Sequence, residues 1–155
     1  MTEPATISPS IIETLYEDAL LLADEARVTF DYDDAVGCGA PDEATTRVAI
    51  SCEALRTTTR MMHAIAWLLN QRAYFAGEIT EFQLRRHGRL PPPQPVSDAE
   101  QRALLPDYIR DLVDRSVAFY ARIERLDRAW RDRFELRPAA VHRLRERLGY
   151  AFAAR

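Results

Sequence analysis

A chain of 155 residues, 47% hydrophobic and 29% charged, has ordinary globular usage and can bury roughly two-thirds of its unfolded surface without covalent staples. Its formal charge of −3 is uneven, with net charges of −10 over residues 1–44, +4 over 45–96 and +3 over 97–155. That weakly acidic total argues against a nucleic-acid binder, which needs a basic face to release phosphate counterions. All 21 basic residues are arginine, so a lysine Schiff base and a P-loop lysine are excluded.

Met1 to Pro9 carries neither a basic cluster nor an apolar core, so no signal peptide is expected, and residues 1–9 read as a flexible N-terminus. Ser10-x-x-Glu13 is a capping-box pattern for a first helix, and Ser8 followed by Pro9 is an equally good start. Ile12, Leu15, Ala19, Leu22, Ala26 and Phe30 recur at helical steps along one stripe. Asp31, Asp33 and Asp34 suit the negative end of a helix badly, which places its end near Tyr32. Gly37-Cys38-Gly39-Ala40-Pro41 reads as a loop.

The second helix is expected from about Asp42 to Ala76, stopping at Gly77, with a seam of Val48, Cys52, Leu55, Thr59, Met62, Ala66, Leu69 and Ala73. That strict alternation of four and three residues is bundle or coiled-coil spacing, on a helix about 50 Å long. Its most apolar stretch, Met61 to Leu69, is about half of what spans a bilayer, so no membrane segment is expected. Thr80-x-x-Gln83 starts a short helix ending near Gly88, and residues 88–97 form a proline-rich linker around Pro91-Pro92-Pro93-Gln94-Pro95. Ser97-x-x-Glu100 is another capping box. Beyond Pro106 a third long helix carries Leu105, Ile109, Leu112, Ser116, Phe119, Ile123, Leu126 and Trp130, and Pro138 opens a short helix in a C-terminal segment, 136–155. The economical fold is a single all-α domain, an antiparallel three-helix bundle. Its two central seam hydroxyls, Thr59 and Ser116, are expected to pair as a core hydroxyl pair, because a buried hydroxyl without a partner costs about 1–3 kcal/mol.

No chemistry-bearing constellation emerges. His63, His87 and His142 are far apart, and Cys38 and Cys52, fourteen residues apart, form no Cys-x-x-Cys. The acidic run at Asp31 fails the calcium-loop pattern at three positions, and no nucleophile elbow or dinucleotide fingerprint occurs. The expectation is no catalytic residues, no metal and no cofactor, in a cytoplasmic protein that binds neither nucleic acid nor membrane. On the back of the second helix, Arg56, Arg60, Trp67, Gln71 and Tyr74 mix aromatics with arginines, a composition of interface hot spots. They are expected to form a protein-contact face, the alternative being that the first helix or a dimer partner covers Trp67 as core. The length of the second helix and its wide apolar arc predict a homodimer.

Glu53-Ala54-Leu55-Arg56-Thr57-Thr58-Thr59-Arg60-Met61-Met62, Trp67-Leu68-Leu69-Asn70-Gln71-Arg72 and Gly77-Glu78-Ile79-Thr80 closely resemble the RcdA family, the regulators of CtrA degradation. Leu112 to Asp127 is a second match, especially Arg115-Ser116 and Ala121-Arg122-Ile123-Glu124-Arg125-Leu126-Asp127. The likeness covers the second and third long helices, is loose over the first, and is absent from the proline linker and the last twenty residues. It implies a bacterial, homodimeric three-helix bundle that acts as an adaptor for the ClpXP protease. The implied partners are ClpX, a CpdR-like primer and cargo such as cell-cycle transcription factors, with a polar location in the cell as an option. It carries no catalytic residues. The alternative is a structural dimerisation module or a small-ligand-binding regulator that uses the bundle interior.

Overall fold

Residues 7–36 and 41–135 are described by the structure, a computed structural model. They form α1 (Pro9–Val36), α2 (Pro41–Phe75), α3 (Glu81–His87), α4 (Ala99–Ala103) and α5 (Asp107–Glu135), with no strand among the described residues. The class is all-α. Cys38 and the glycines beside it, and the helix expected after Pro138, lie outside the described residues.

Helix ends follow local chemistry. Of the two candidate starts for α1 the chain uses Ser8 with Pro9: the Ile11 N–H donates to Ser8 Oγ (3.4 Å) and the Ile12 N–H to the Ser8 carbonyl (3.2 Å). Ile7 is buried in the core, so the segment expected to be flexible is tied down at its last residues. At the other end α1 continues past Tyr32 to Val36. Acids in a final turn cost only tenths of a kcal/mol when solvated, and Arg27 pairs with both Asp24 (2.9 Å) and Asp31 (3.5 Å).

Gly77, at φ 77°, closes α2. Its N–H donates to the Tyr74 carbonyl (3.0 Å) and the Glu78 N–H to Ala73 (2.9 Å), a Schellman pattern that needs a left-handed residue. Thr80 and Gln83 make the expected capping box at α3. The box expected at Ser97 fails, because Asp98 caps α4 by accepting from the Gln101 N–H (2.8 Å). Ser97 is engaged elsewhere, accepting from Arg56.

α2 packs against both α1 and α5. It is antiparallel to α1: Arg72 reaches Glu13 at one end, while Phe30 meets Ala49 and Ile50 at the other. Against α5 it runs parallel. Ile50 shares a cluster with Ile109, then Arg60 meets Ser116, Trp67 meets Asp127 and Tyr74 meets Trp130, the numbers rising together. The expected antiparallel register of these two helices is therefore corrected. Residues 76–106, short helices and proline linker included, carry the chain back along α2 before α5 begins.

The predicted stripes of α1 and α5 do face the core. Ile12, Leu15, Ala19 and Ala26 are buried, as are Leu105, Ile109, Leu112, Ser116, Ile123 and Trp130. The predicted seam of α2 does not. Val48, Leu55, Met62 and Leu69 are 63%, 70%, 61% and 44% exposed, and no seam residue is buried. The inward face is instead Ala49, Ile50, Glu53, Thr57, Arg60, Met61, Ala64, Trp67, Leu68 and Gln71. Helical steps of three and four fit either face, and the one with long polar side chains is inside, where α5 supplies partners for Arg60 and Trp67.

Two glycines test the turns. At Gly77 a Cβ would meet nothing within 4 Å, so Gly77→Ala suffers only the left-handed backbone, about 1 kcal/mol. At Gly88 a Cβ would lie 2.5 Å from Leu84 Cδ1 and 2.6 Å from the Leu84 carbonyl oxygen. Gly88→Ala is expected to cost more, about 1–3 kcal/mol. Urea midpoints of the two variants check the order, and a milder effect at Gly88 would refute this account of α3's end.

Candidate functional site

The residues expected to form a contact face are mostly interior. Trp67, Arg60 and Gln71 are 1%, 2% and 0% exposed, and Arg56 and Tyr74 are half-buried. Other helices of the same chain cover Trp67, so the proposed face is corrected to a buried polar seam between α2 and α5.

Four inward residues, Glu53, Thr57 and Arg60 of α2 with Ser116 of α5, lie between the two apolar clusters of the core. Arg60 Nη1 donates to Ser116 Oγ (2.7 Å) and, weakly, to Thr57 Oγ1 (3.5 Å). Ser116 Oγ donates its own hydrogen bond to the Val113 carbonyl (2.7 Å), so its hydroxyl is satisfied without Thr59, which is only half-buried. The core hydroxyl pair is thus replaced by a cross-helix arginine–serine bond. Arg56 Nη1 donates to Glu53 Oε1 (2.8 Å) and to Ser97 Oγ (2.9 Å), fastening the end of the proline linker.

Two turns further along α2, Trp67 Nε1 donates to Asp127 Oδ1 (2.9 Å), and Arg131 holds the second carboxylate oxygen. Tyr74 packs edge-on against Trp130, ring centroids 6.4 Å apart. Burial holds the Arg60 guanidinium below its ordinary pKa; Glu53 opposes that shift and Arg56 adds to it. Arginine remains charged across the physiological range, so the seam encloses a cation with serine and threonine partners. Among the described residues three buried polar atoms have no partner: Gln71 Oε1 and Nε2, and His63 Nδ1.

Surface pairs complete the assembly. Arg72 Nε donates to Glu13 (2.7 Å) while its guanidinium lies 4.4 Å over the Tyr16 ring, and Arg115 joins Glu25 to α5. Glu25 and Asp114 are held below their ordinary pKa, first by hydrogen bonds from Arg115 and Arg102. Both are solvent-facing, and their contribution is present at neutral pH and lost in acid as they protonate.

Thr57, Tyr120 and Asp127 were not legible as part of the site. Spacing held the signal: Ser116 and Asp127 are eleven residues apart, three turns on one face of α5, and Arg60 and Trp67 seven apart, two turns of α2.

The described surface holds two recesses of interest. A small one of about 180 Å³ is lined by Leu84, Gly88, Trp130, Arg85, Arg89 and Arg131, above Asp127. A groove of about 420 Å³ between α1 and α2 is lined by Ala23, Phe30, Ala54, Met61, Met62 and Ile65, among others. Among the described residues no three His, Cys, Asp or Glu side chains gather to hold a metal ion, and no helix is long and apolar enough to cross a membrane.

The geometry defines a small all-α protein whose polar motif ties its helices together. The chain belongs to the family described as protein of unknown function (DUF1465), which matches residues 4–152. No curated protein and no solved structure matches it.

Asp127→Ala leaves the Trp67 indole N–H buried without an acceptor and is expected to cost about 2–3 kcal/mol. Asp127→Asn keeps an acceptor and should cost less. Urea unfolding checks the ranking, and near-neutrality of the alanine variant would mean that the bond does not hold α2 to α5.

Tyr120 donates its phenol to the Pro91 carbonyl (2.6 Å), and burial pushes its pKa from 10.0 up to about 12, with Glu124 and Asp127 adding to the shift. A raised pKa contributes stability that is complete below pH 10 and lost as pH rises toward 12. With no lysine in the chain, tyrosine and cysteine dominate side-chain titration there. Tyr120→Phe is expected to cost about 1 kcal/mol at neutral pH and to flatten the alkaline fall. Unchanged pH dependence in the variant would exclude Tyr120 as its source.

Proposed function

We propose that this chain is a non-enzymatic protein–protein adaptor, built on a three-helix bundle of α1, α2 and α5 and working as a homodimer. As its resemblance to the RcdA family implies, it helps deliver cell-cycle regulators to the ClpXP protease in the cytoplasm, with a CpdR-like primer among its partners. The observation that carries the protein-contact part is the outward stripe of α2, where Val48, Leu55, Met62 and Leu69 stand exposed along one line. A contiguous apolar line on a folded surface marks a contact with another protein.

The motif behind the resemblance has a structural use here. Arg56, Arg60, Trp67, Arg115 and Ser116 all make bonds that join helices or fasten the linker. They support a shared architecture, and the partner surfaces belong to exposed residues such as Phe82, Val96 and Tyr108 on the return segment and the start of α5. The α1–α2 groove favours the runner-up, a ligand-binding regulator, because its size lies within the range of small-molecule pockets.

Affinity capture with the purified chain tests the adaptor reading. Enrichment of ClpX or of a phosphorelay-type primer protein is the expected outcome, together with slower ClpXP turnover of a cell-cycle regulator when the chain is removed from cells. Recovery of the chain alone, with turnover unchanged, would refute the adaptor and favour a dimerisation module.

A further inference from the structure

The outward stripe of α2 has an internal order that says what covers it. Its eight positions alternate in size without exception: Cys52, Thr59, Ala66 and Ala73 recur every seven residues, and Val48, Leu55, Met62 and Leu69 recur between them. One set is small and the other large. Two helices packed through such a seam can place like against like or large against small, and the direction of pairing decides which.

In a parallel pair each residue faces its own copy. Large layers would then alternate with layers of small residues alone, at Cys52, Thr59, Ala66 and Ala73, which leave voids along the seam. In an antiparallel pair the two sets face each other, and one register satisfies all eight positions at once. Val48 meets Ala73 of the second copy, Cys52 meets Leu69, Leu55 meets Ala66 and Thr59 meets Met62, with the two-fold axis between residues 60 and 61. Every layer then holds one large and one small side chain. Antiparallel helix dipoles favour the same arrangement.

The surface relief agrees. A shallow depression of about 540 Å³ at the start of α2 is lined by Ala44, Arg47, Val48, Ser51, Cys52 and Leu55. Leu69, the knob that would fill it, lies toward the far end of the same helix, and only antiparallel apposition brings one copy's knob to the other's depression. Flanking positions raise no like-charge clash between strong ions. Arg56 falls near His63 of the second copy, Ser51 near Arg72 and Thr58 near Ile65.

Area is sufficient for a modest interface. From Val48 to Ala73 the stripe runs about 37 Å, and at a helix width of about 10 Å its flat projection is roughly 370 Å² per copy. That matches the largest apolar patch of a typical monomer, which is often functional. The α1–α2 groove beside Met62 widens it toward the lower end of specific interfaces.

We infer that two copies of this chain associate through the outward seam of α2, antiparallel, in the register that sets Cys52 against Leu69 and Thr59 against Met62. The inference rests on the homodimer reading above and adds the face, the direction and the register.

Disulfide trapping of the full chain tests it, in a Cys38→Ser background that leaves Cys52 as the one thiol. In the inferred register the two Cys52 positions are about 25 Å apart along the axis, far beyond the roughly 4.4–6.8 Å that a disulfide spans between Cα atoms. Mild oxidation should leave this protein uncrosslinked. Leu69→Cys should convert most of it to covalent dimer, through two equivalent disulfides that each join Cys52 of one copy to the thiol introduced at position 69 of the other. Adding Cys52→Ser to that variant should abolish the product. Leu55→Glu, at an exposed position, should give a monomer by light scattering with helix content unchanged by circular dichroism.

A Cys52–Cys52 crosslink would overturn the direction in favour of a parallel pair. No crosslink from Leu69→Cys in a protein that is dimeric by light scattering would overturn the register. Dimer persisting in Leu55→Glu would remove the seam as the interface while leaving the homodimer standing. A strict monomer at tens of micromolar in the parent would refute the homodimer itself.

Discussion

A buried guanidinium needs hydrogen-bond partners, and that constraint organises this molecule. Arg60 sits inside the protein beside Thr57 and Ser116, and one end of its charge reaches α5 only because Ser116 is turned toward it. Trp67 adds an indole N–H that is equally costly to bury unpaired, and Asp127 meets it. Each unmatched group would cost about 1–3 kcal/mol, a large fraction of a small domain's net stability. Sliding α5 by a turn would break both bonds together. Apolar contacts alone tolerate such slips far better, so the polar pairs specify the register while the clusters on either side supply most of the stabilisation.

A parallel α2–α5 pair imposes a second constraint, since the chain must travel back along α2 before α5 can start. Residues 76–106 do this. α3 turns under the core with Leu84 buried, the prolines extend the chain at little entropic cost, and α4 turns it into α5. Leu90 is buried, Tyr120 holds the Pro91 carbonyl and Arg56 holds Ser97, so the return segment is fastened at intervals to the helices it crosses. The proline run is a strut of the fold.

Using the arginine-rich side of α2 inside frees the apolar side for the surface. That exchange links structure to function. A helix with its apolar seam inward would complete a self-sufficient core and leave charged residues outside. Here the internal contacts are polar as well as apolar, and the strict heptad seam stays open to another chain. The motif residues that resemble a proteolytic adaptor family hold the scaffold together, and the exposed seam, the α1–α2 groove and the return segment are the surfaces proposed for partners.

The all-α class, the approximate helix positions and the core faces of α1 and α5 were readable in the sequence, because one apolar stripe recurs at helical steps along each of those helices, although α1 also exposes Leu20, Leu21 and Val28. Gly77 and the Thr80–Gln83 box were legible as well, being interactions within a few residues, while Ser8 with Pro9 was one of two equally good starts for α1. Three features were decided only by tertiary structure. The inward face of α2 was misread because the helix carries two faces of suitable spacing, and the choice depends on Ser116 and Asp127 more than fifty residues away. The direction of α5 depends on how far residues 76–106 travel, which periodicity does not encode. The burial of Arg60 and Trp67 follows from those two facts, since a polar residue is classed as surface until a distant partner is known to satisfy it, and Gln71 is carried inside on the same face with its amide unpartnered.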